Sequence, residues 1–325
     1  MKYFLTGATG FVGGVLAKQL VEAGHMVHAL VRDVSKAEEL KALGVQLFTG
    51  DVTDKESMRA GMEGVDGVFH VAGWYKIGAQ DKSLGEKVNV QGTRNVLELM
   101  KELQIPKGVY TSTLAVNSDT QGRVVDETYH YKGPHLSEYD RTKAQAHEVA
   151  LEMIREGLPL VIVMPGLIYG PGDTSILHTN IVDFLEGRLP MLPSRFGISV
   201  SHVADIAQGH ILAMERGKIG ETYMLAGEIY LVSDMFKLAS KLTGKKQPLL
   251  VPSFVFKLLS MLVTPLQRWL PETYTSEGLR MVAGNTYWGD QSKAQRELGF
   301  APRPFREGWG ETLRHEMNLL SSNSK

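Results

Sequence analysis

The chain contains no cysteine, which excludes disulfides, thiolate-held metals and thiol nucleophiles. Neither sign of charge dominates. Thirty-five Lys and Arg against 36 Asp and Glu leave a formal net charge of −1, without a basic block. Broad nucleic-acid binding needs clustered cations to displace phosphate counterions and is not expected. His, Asp and Glu do not recur at ligand spacing, so no metal is expected either. Lys2-Tyr3-Phe4-Leu5 runs directly into Thr6-Gly7 with no cleavable apolar leader, and a cytoplasmic location is the expectation. Long apolar runs are also missing. The nearest is 252–270, PSFVFKLLSMLVTPLQRWL, broken by Lys257, Pro265, Gln267 and Arg268. It is too interrupted to span a bilayer and reads as a cleft-covering helix, an oligomer contact or a membrane-surface segment.

What is present is a rhythm. Short apolar runs at 3–5, 27–31, 45–48, 67–72, 108–111 and 160–164 alternate with amphipathic helical patterns at 11–23, 54–62, 86–103 and 138–156. Continuous apolar strands separated by helices predict a parallel sheet covered on both faces. Right-handed crossovers make it an α/β, doubly wound fold. The rhythm changes at Pro165-Gly166-Leu167-Ile168-Tyr169-Gly170-Pro171-Gly172. Residues 1–165 are therefore expected to form a Rossmann dinucleotide-binding domain, with 199–227 returning to it. Residues 166–325 are expected to form mainly a smaller α+β substrate domain. The serine-rich end, 321–324, is expected to fray.

The strongest motif is Thr6-Gly7-Ala8-Thr9-Gly10-Phe11-Val12-Gly13, between the first strand and the first helix. Gly7 permits a tight turn, Gly10 a close approach to a pyrophosphate, and Gly13 close helix–sheet packing. The helix start offers N–H groups and a positive dipole end to the anion, with Thr9, Phe11 and Val12 contributing backbone. At the end of the second strand Val31 stands where an NAD-selective carboxylate is common, and Arg32 follows. A guanidinium pairs with a 2′-phosphate, so NADP(H) is expected over NAD(H). The alternative is a solvated Arg32 with Asp33 serving the ribose. Asp51 and Val52 suit an adenine contact, unless Asp51 only holds a turn. Val71, Ala72 and Gly73 are small enough for a dinucleotide to cross the sheet edge.

Tyr139 and Lys143 lie one helical turn apart at the start of a long helix. A free phenol titrates near pH ~10, and a neighbouring ammonium is expected to lower that value. The fifth strand ends Tyr110-Thr111-Ser112-Thr113, which places a hydroxyl beside Tyr139. Thr113 is the preferred candidate, with Ser112 as its neighbour. Thr111 and Lys143 face the cofactor.

With these residues in order, the chain resembles the extended short-chain dehydrogenase/reductase family over nearly its full length. The resemblance rests on the glycine loop, Gly50-Asp51, the run Asn89-Val90-Gln91-Gly92-Thr93-Arg94-Asn95, Thr113, Tyr139/Lys143 and Pro165-Gly166. It continues through His202-Val203-Ala204-Asp205-Ile206-Ala207 and Ser292-Lys293-Ala294 to Gly299-Phe300. It implies that Thr113 orients substrate, that Tyr139 gives or takes the proton, and that Lys143 bonds the ribose. It also implies that Pro165 and Gly166 flank the nicotinamide and that helices 86–103 and 138–156 form a homodimer. Two departures are Thr113 for the commoner serine and Met164 for an arginine often found before the proline. Val31-Arg32-Asp33 and Val68-Phe69-His70-Val71-Ala72 look most like the dihydroflavonol-4-reductase-like branch, which is implied to reduce ketones or aldehydes with NADPH.

For the substrate, Trp74, Tyr75, Ile77, Tyr169 and His202 are the expected lining, an aromatic set that favours an apolar or planar molecule. His202 could instead cap the following helix. The leading expectation is an NADP(H)-dependent reductase or its reverse dehydrogenase. The second is a nucleotide-sugar epimerase or dehydratase with retained cofactor, its diphosphate met by Arg188 and Arg195. The third is an NADP(H)-binding sensor without turnover, although both Tyr139 and Lys143 are present.

Overall fold

The computed structural model describes residues 1–79, 81–264 and 275–323. Six strands come first: β1 (Lys2–Thr6), β2 (Met26–Val31), β3 (Gln46–Thr49), β4 (Gly67–His70), β5 (Gly108–Thr111) and β6 (Leu160–Pro165). Then follow β7 (Leu167–Tyr169), β8 (Met191–Pro193), β9 (Gly197–His202), β10 (Thr222–Leu225), β11 (Glu228–Leu231), β12 (Leu249–Val251) and β13 (Thr286–Tyr287). The central sheet has seven strands in the order β10-β6-β5-β4-β1-β2-β3, and every pairing is parallel. The predicted doubly wound α/β sheet is what forms. The order reverses between β1 and β4, the point at which doubly wound sheets form a ligand crevice at the strands' carboxyl ends.

Over the sheet lie α1 (Phe11–Glu22), α2 (Glu38–Ala42), α3 (Lys55–Met62), α4 (Ser83–Gly85), α5 (Gly92–Glu102) and α6 (Glu138–Arg155). Later helices are α7 (Ile176–Leu185), α8 (Val203–Arg216), α9 (Val232–Thr243), α10 (Ser253–Leu262), α11 (Ser276–Met281), α12 (Ser292–Leu298) and α13 (Phe305–Asn323). Successive strand residues point to opposite faces, and the two faces build two cores. Leu5, Phe69, Val109 and Val161 pack with Leu16 and Leu20 of α1 and Ile206 and Ala213 of α8. Phe4, Val68, Tyr110 and Ile162 pack with Met58, Val96, Met100, Val149 and Met153 from α3, α5 and α6. All of these are buried, and each such aliphatic side chain contributes roughly 1.5–3 kcal/mol by leaving water.

After β6 the chain builds a second sheet, β11-β9-β13, with β7 also paired to β9. Its core gathers Tyr169, Phe184, Phe236, Phe305 and Trp309. A two-stranded sheet joins β8 to β12. From this region α8 returns to pack on α1, and β10 extends the central sheet at β6.

Local departures from the sequence reading have identifiable causes. The strand expected over 67–72 stops at His70 because the Thr6 hydroxyl accepts from the N–H groups of Val71 and Ala72, at 3.2 and 3.1 Å. The helix expected over 86–103 begins as a π-helical turn, Glu86–Gln91, which turns Asn89 inward. The chain end expected to fray is helical to Asn323, with Ser321 and Ser322 hydroxyls donating to Asn318 O. Of the apolar segment, residues 265–270 lie outside the described residues, as does Ser324. No helix among the described residues is long and apolar enough to cross a membrane.

Candidate active site

The glycine loop leaves β1 with Gly7 at φ +77°, where a Cβ would stand 2.7 Å from Ala72 N. A Cβ on Gly13 would stand 2.1 Å from Gly7 O, so the loop closes on itself only with glycine. Gly10 N donates to Gly7 O at 2.9 Å and Gly10 caps α1 with no side chain of its own. The first turn of α1 carries no carboxylate, and Thr9 is exposed above it while Phe11 and Val12 are half-buried. An uncapped helix start without acid, over a cradle that any Cβ would fill, fits a pyrophosphate.

At the far end of the crevice Val31 is buried, whereas Arg32 is exposed and makes no ion pair among the described residues. Asp33 is committed elsewhere: its carboxylate accepts from Ser35 N (3.0 Å) and Ser35 Oγ (2.7 Å), which hold it below the usual carboxylate range. Asp51 also holds a turn, accepting from Thr53 N and Thr53 Oγ1 at 2.8 Å through one oxygen. The Val52 side chain packs into the core at Gly92, so only its backbone can face a ligand.

The catalytic candidates meet where β5 ends. Thr113 caps the turn Leu114–Asn117, accepting from Ala115 N at 3.2 Å. The Tyr139 phenol lies beside it, where the hydroxyl opposes the rise in the phenol's pKa. Ser112 is buried and turned away, bonded to His147 Nδ1 at 2.8 Å, which leaves Thr113 as the crevice hydroxyl. α6 starts at Ser137, whose hydroxyl accepts from Asp140 N, and Tyr139 occupies its first turn. Lys143 is buried. It donates to Thr111 O at 2.8 Å and Tyr110 Oη at 3.3 Å, and a Cβ on Gly73 would lie 3.9 Å from its Nζ. At the carboxyl end of β6, Pro165 is buried, and Gly166 is demanded by Ser199 O, 2.3 Å from any Cβ there.

The electrostatics correct one expectation. Burial pushes the Tyr139 phenol up to about 12, the Thr113 hydroxyl opposes this, and the Asp140 charge adds to it. Lys143 does not lower it, because burial pulls the lysine itself down to about 7 and its Nζ is aimed at β5. Burial thus favours the neutral phenol of Tyr139, a group that can donate a proton.

Several residues that the sequence reading did not place in the site support it from below. Thr6 Oγ1, already accepting from two N–H groups, gives its proton to His70 Nδ1 at 2.8 Å. His70 Nε2 then donates to Thr93 Oγ1 at 3.0 Å. Thr93 lies against Tyr110, whose Oη receives Lys143. Burial, with Lys143 nearby, keeps His70 neutral, down to about 3. A buried run of polar side chains thus leads from the glycine loop to the lysine. Asn89 pins Trp74 through its backbone N–H (2.7 Å) and C=O (2.9 Å) and donates to Thr142 Oγ1 at 2.9 Å. The available signal was a polar residue in an apolar strand run, Thr6 in β1 and His70 in β4.

On the substrate side Trp74 is half-buried against Gly85, and Ile77 is also half-buried. Tyr75 is exposed and its Oη meets Thr174 Oγ1 at 3.3 Å, linking the loop after β4 to the loop after β7. Tyr169 and His202 are corrected. Tyr169 is buried edge-on among His202, Phe305 and Trp309 in the second sheet's core. His202 caps α8 by accepting from Ala204 N at 3.3 Å. Arg188, a candidate for a substrate diphosphate, is already paired with Asp183 and Glu186.

The NAD dependent epimerase/dehydratase family matches this chain over residues 3–226. A Synechocystis sp. protein named as a dihydroflavonol 4-reductase is 32% identical, over 96% of this chain and 93% of its own length. The 4-hydroxy-2-methyl-3-oxo-4-farnesyl-3,4-dihydroquinoline-1-oxide ketoreductase of Stigmatella aurantiaca is also 32% identical, over 97% and 96%. The crystal structure of gox2253 superposes with a TM-score of 0.84 at 33% identity, covering 98% of each chain.

Proposed function

Because the chain belongs to the NAD-dependent epimerase/dehydratase family of extended short-chain dehydrogenases/reductases, and is an oxidoreductase of that kind, we propose that it reduces a ketone or aldehyde of an apolar or aromatic small molecule with NADPH, or oxidises the corresponding alcohol. The observation that carries this reading is the shared corner of Thr113, Tyr139 and Lys143 beside Gly73. Gly7, Thr9, Gly10, Phe11, Val12 and Gly13 would hold the pyrophosphate, and Arg32 the 2′-phosphate. Asp51 and Val52 would sit at the adenine. Val71, Ala72, Gly73, Thr111, Lys143, Pro165 and Gly166 would line the nicotinamide half. When bound, the dinucleotide supplies or accepts a hydride.

The chain's own part is proton handling and orientation. Tyr139, as the neutral phenol, donates to the carbonyl oxygen as it becomes an alkoxide, a far stronger base than a phenolate. Thr113 donates a second hydrogen bond to that oxygen and holds it at the phenol. Trp74 and Tyr75 offer an apolar wall, and the Stigmatella ketoreductase is named for a farnesylated substrate. Arg188 is already paired with two carboxylates, so of the two cations considered for a substrate diphosphate Arg195 alone stands unpaired among the described residues, which weighs against a nucleotide sugar.

The test mixes purified protein with NADPH and a panel of aromatic, isoprenoid and aliphatic carbonyls and follows loss of the reduced nicotinamide signal. Turnover with apolar members supports the proposal. Stoichiometric nicotinamide retained through purification, with no net consumption, would transfer it to an epimerase or dehydratase.

A further inference from the structure

The apolar segment noticed in the sequence is not absorbed by the active site. Within it α10 buries Phe256 and Ser260 and leaves Phe254, Leu258, Met261 and Leu262 more than half exposed, at 70, 55, 63 and 62%. Their spacing of four, three and one residues puts them on one helix face. Upstream, β12 adds Leu249 and Leu250, 67 and 43% exposed, and its partner strand β8 adds Met191. Large side chains exposed together mark an interaction surface, unlike scattered ones.

The charge in the stretch of chain that carries this face has one sign. Between Asp234 and Glu272 there is no carboxylate, whereas Lys237, Lys241, Lys245, Lys246 and Lys257 fall within that stretch. All five are exposed, and none is ion-paired among the described residues. Arg195, also exposed, joins them in space, because its backbone N–H donates to Ser253 Oγ at the start of α10. An apolar helix face accompanied by unpaired cations complements an anionic lipid surface: the side chains enter the acyl boundary and the lysines meet the headgroups. A second protein copy would carry the same unopposed cations to the contact, which disfavours a symmetric pairing of this face.

We propose that α10 and β12 seat the protein on anionic bilayers. The surface is coupled to the site through α11: the Thr264 hydroxyl, just past α10, bonds Ser276 Oγ, and Glu277 of α11 accepts from Glu138 N beside Tyr139. The seat would therefore place the crevice near molecules dissolved in the bilayer. The proposal concerns attachment and stands apart from the reaction assigned above.

Sedimentation of the full chain with phosphatidylglycerol/phosphatidylcholine vesicles, and with pure phosphatidylcholine vesicles, tests it. Binding is expected to the anionic vesicles and to weaken with added salt. Lys245→Ser/Lys246→Ser/Lys257→Ser should weaken it by about a hundredfold, at about fivefold per cation. Phe254→Ser/Leu258→Ser should also weaken it by more than about tenfold. All these side chains are exposed, so the variants should keep the wild-type circular dichroism and melting temperature. Absence of binding at low salt, or equal binding to both vesicle types, overturns the proposal. So does a concentration-dependent self-association that Phe254→Ser/Leu258→Ser abolishes, which would assign the face to a second copy.

Discussion

Asp140 sits beside Tyr139 with no exposure and no ion pair among the described residues. Ser137 donates to its Oδ1 at 2.6 Å, Tyr287 Oη donates to Oδ2 at 3.3 Å, and Ser118 adds a third bond. These do not compensate for burial, which together with the Glu277 charge pushes the carboxyl from 3.8 up to about 7. Because the folded pKa lies above the unfolded one, the unfolded chain releases this proton first as pH rises. Stability is therefore lost between about pH 4 and pH 7 and stays lost above. At about 1.4 kcal/mol per pH unit, a rise of about three units corresponds to about 4 kcal/mol. Asp140→Asn removes the charge but obliges Tyr287 or Ser118 to accept where it now donates. The net gain above pH 7 is accordingly about 2 kcal/mol. Urea unfolding of both proteins at intervals from pH 5 to pH 8.5 checks this. The gap should widen with pH to about 7 and then level off. A constant gap, or a variant less stable at every pH, would refute the reasoning.

Other outcomes follow from the same geometry. Arg32→Ala should raise the KM for NADPH by more than about tenfold while changing that for NADH little, since one charge-assisted pair to phosphate is lost; equal effects would return Arg32 to solvent. Tyr110→Phe removes an acceptor that favours the Lys143 ammonium. It should shift the alkaline limb of kcat/KM to lower pH, by about one unit at most, with the fold intact. An unmoved limb with lower activity would make Tyr110 merely structural. Gly13→Ala places a methyl 2.1 Å from Gly7 O and should cost about 3 kcal/mol in urea unfolding, together with cofactor binding; an unchanged midpoint would mean the loop can yield.

The legible part of the molecule was whatever repeats with a local period or closes within a few residues. Runs such as 160–164 read as buried strands because both faces of a parallel sheet are covered, and the glycine loop read as a phosphate cradle because its glycines close a turn within a few residues, Gly13 against Gly7. Tyr139 and Lys143 were visible from their one-turn spacing, but not the direction of Nζ, which β5 sets through Thr111 O. Tyr169 read as a pocket aromatic because its motif ends at the crevice; only the distant Phe305 and Trp309 draw it into a core. The Thr6–His70–Thr93–Tyr110 chain spans three strands and a helix, and hydroxyls give no pattern at such separations. The π turn at Glu86–Gln91 exists because Asn89 has partners in Trp74 and Thr142, which no helix propensity encodes.

Tyr139→Phe tests the central claim most directly, as it deletes one oxygen and leaves the glycine loop, Arg32 and Lys143 in place. With NADPH and the best carbonyl from the panel, single-turnover reduction should fall by about 10²–10⁴-fold. NADPH affinity, read by titration of its fluorescence, should change less than about threefold. Reduction at the wild-type rate, or loss of cofactor binding in step with activity, would contradict the assignment of the phenol as proton donor.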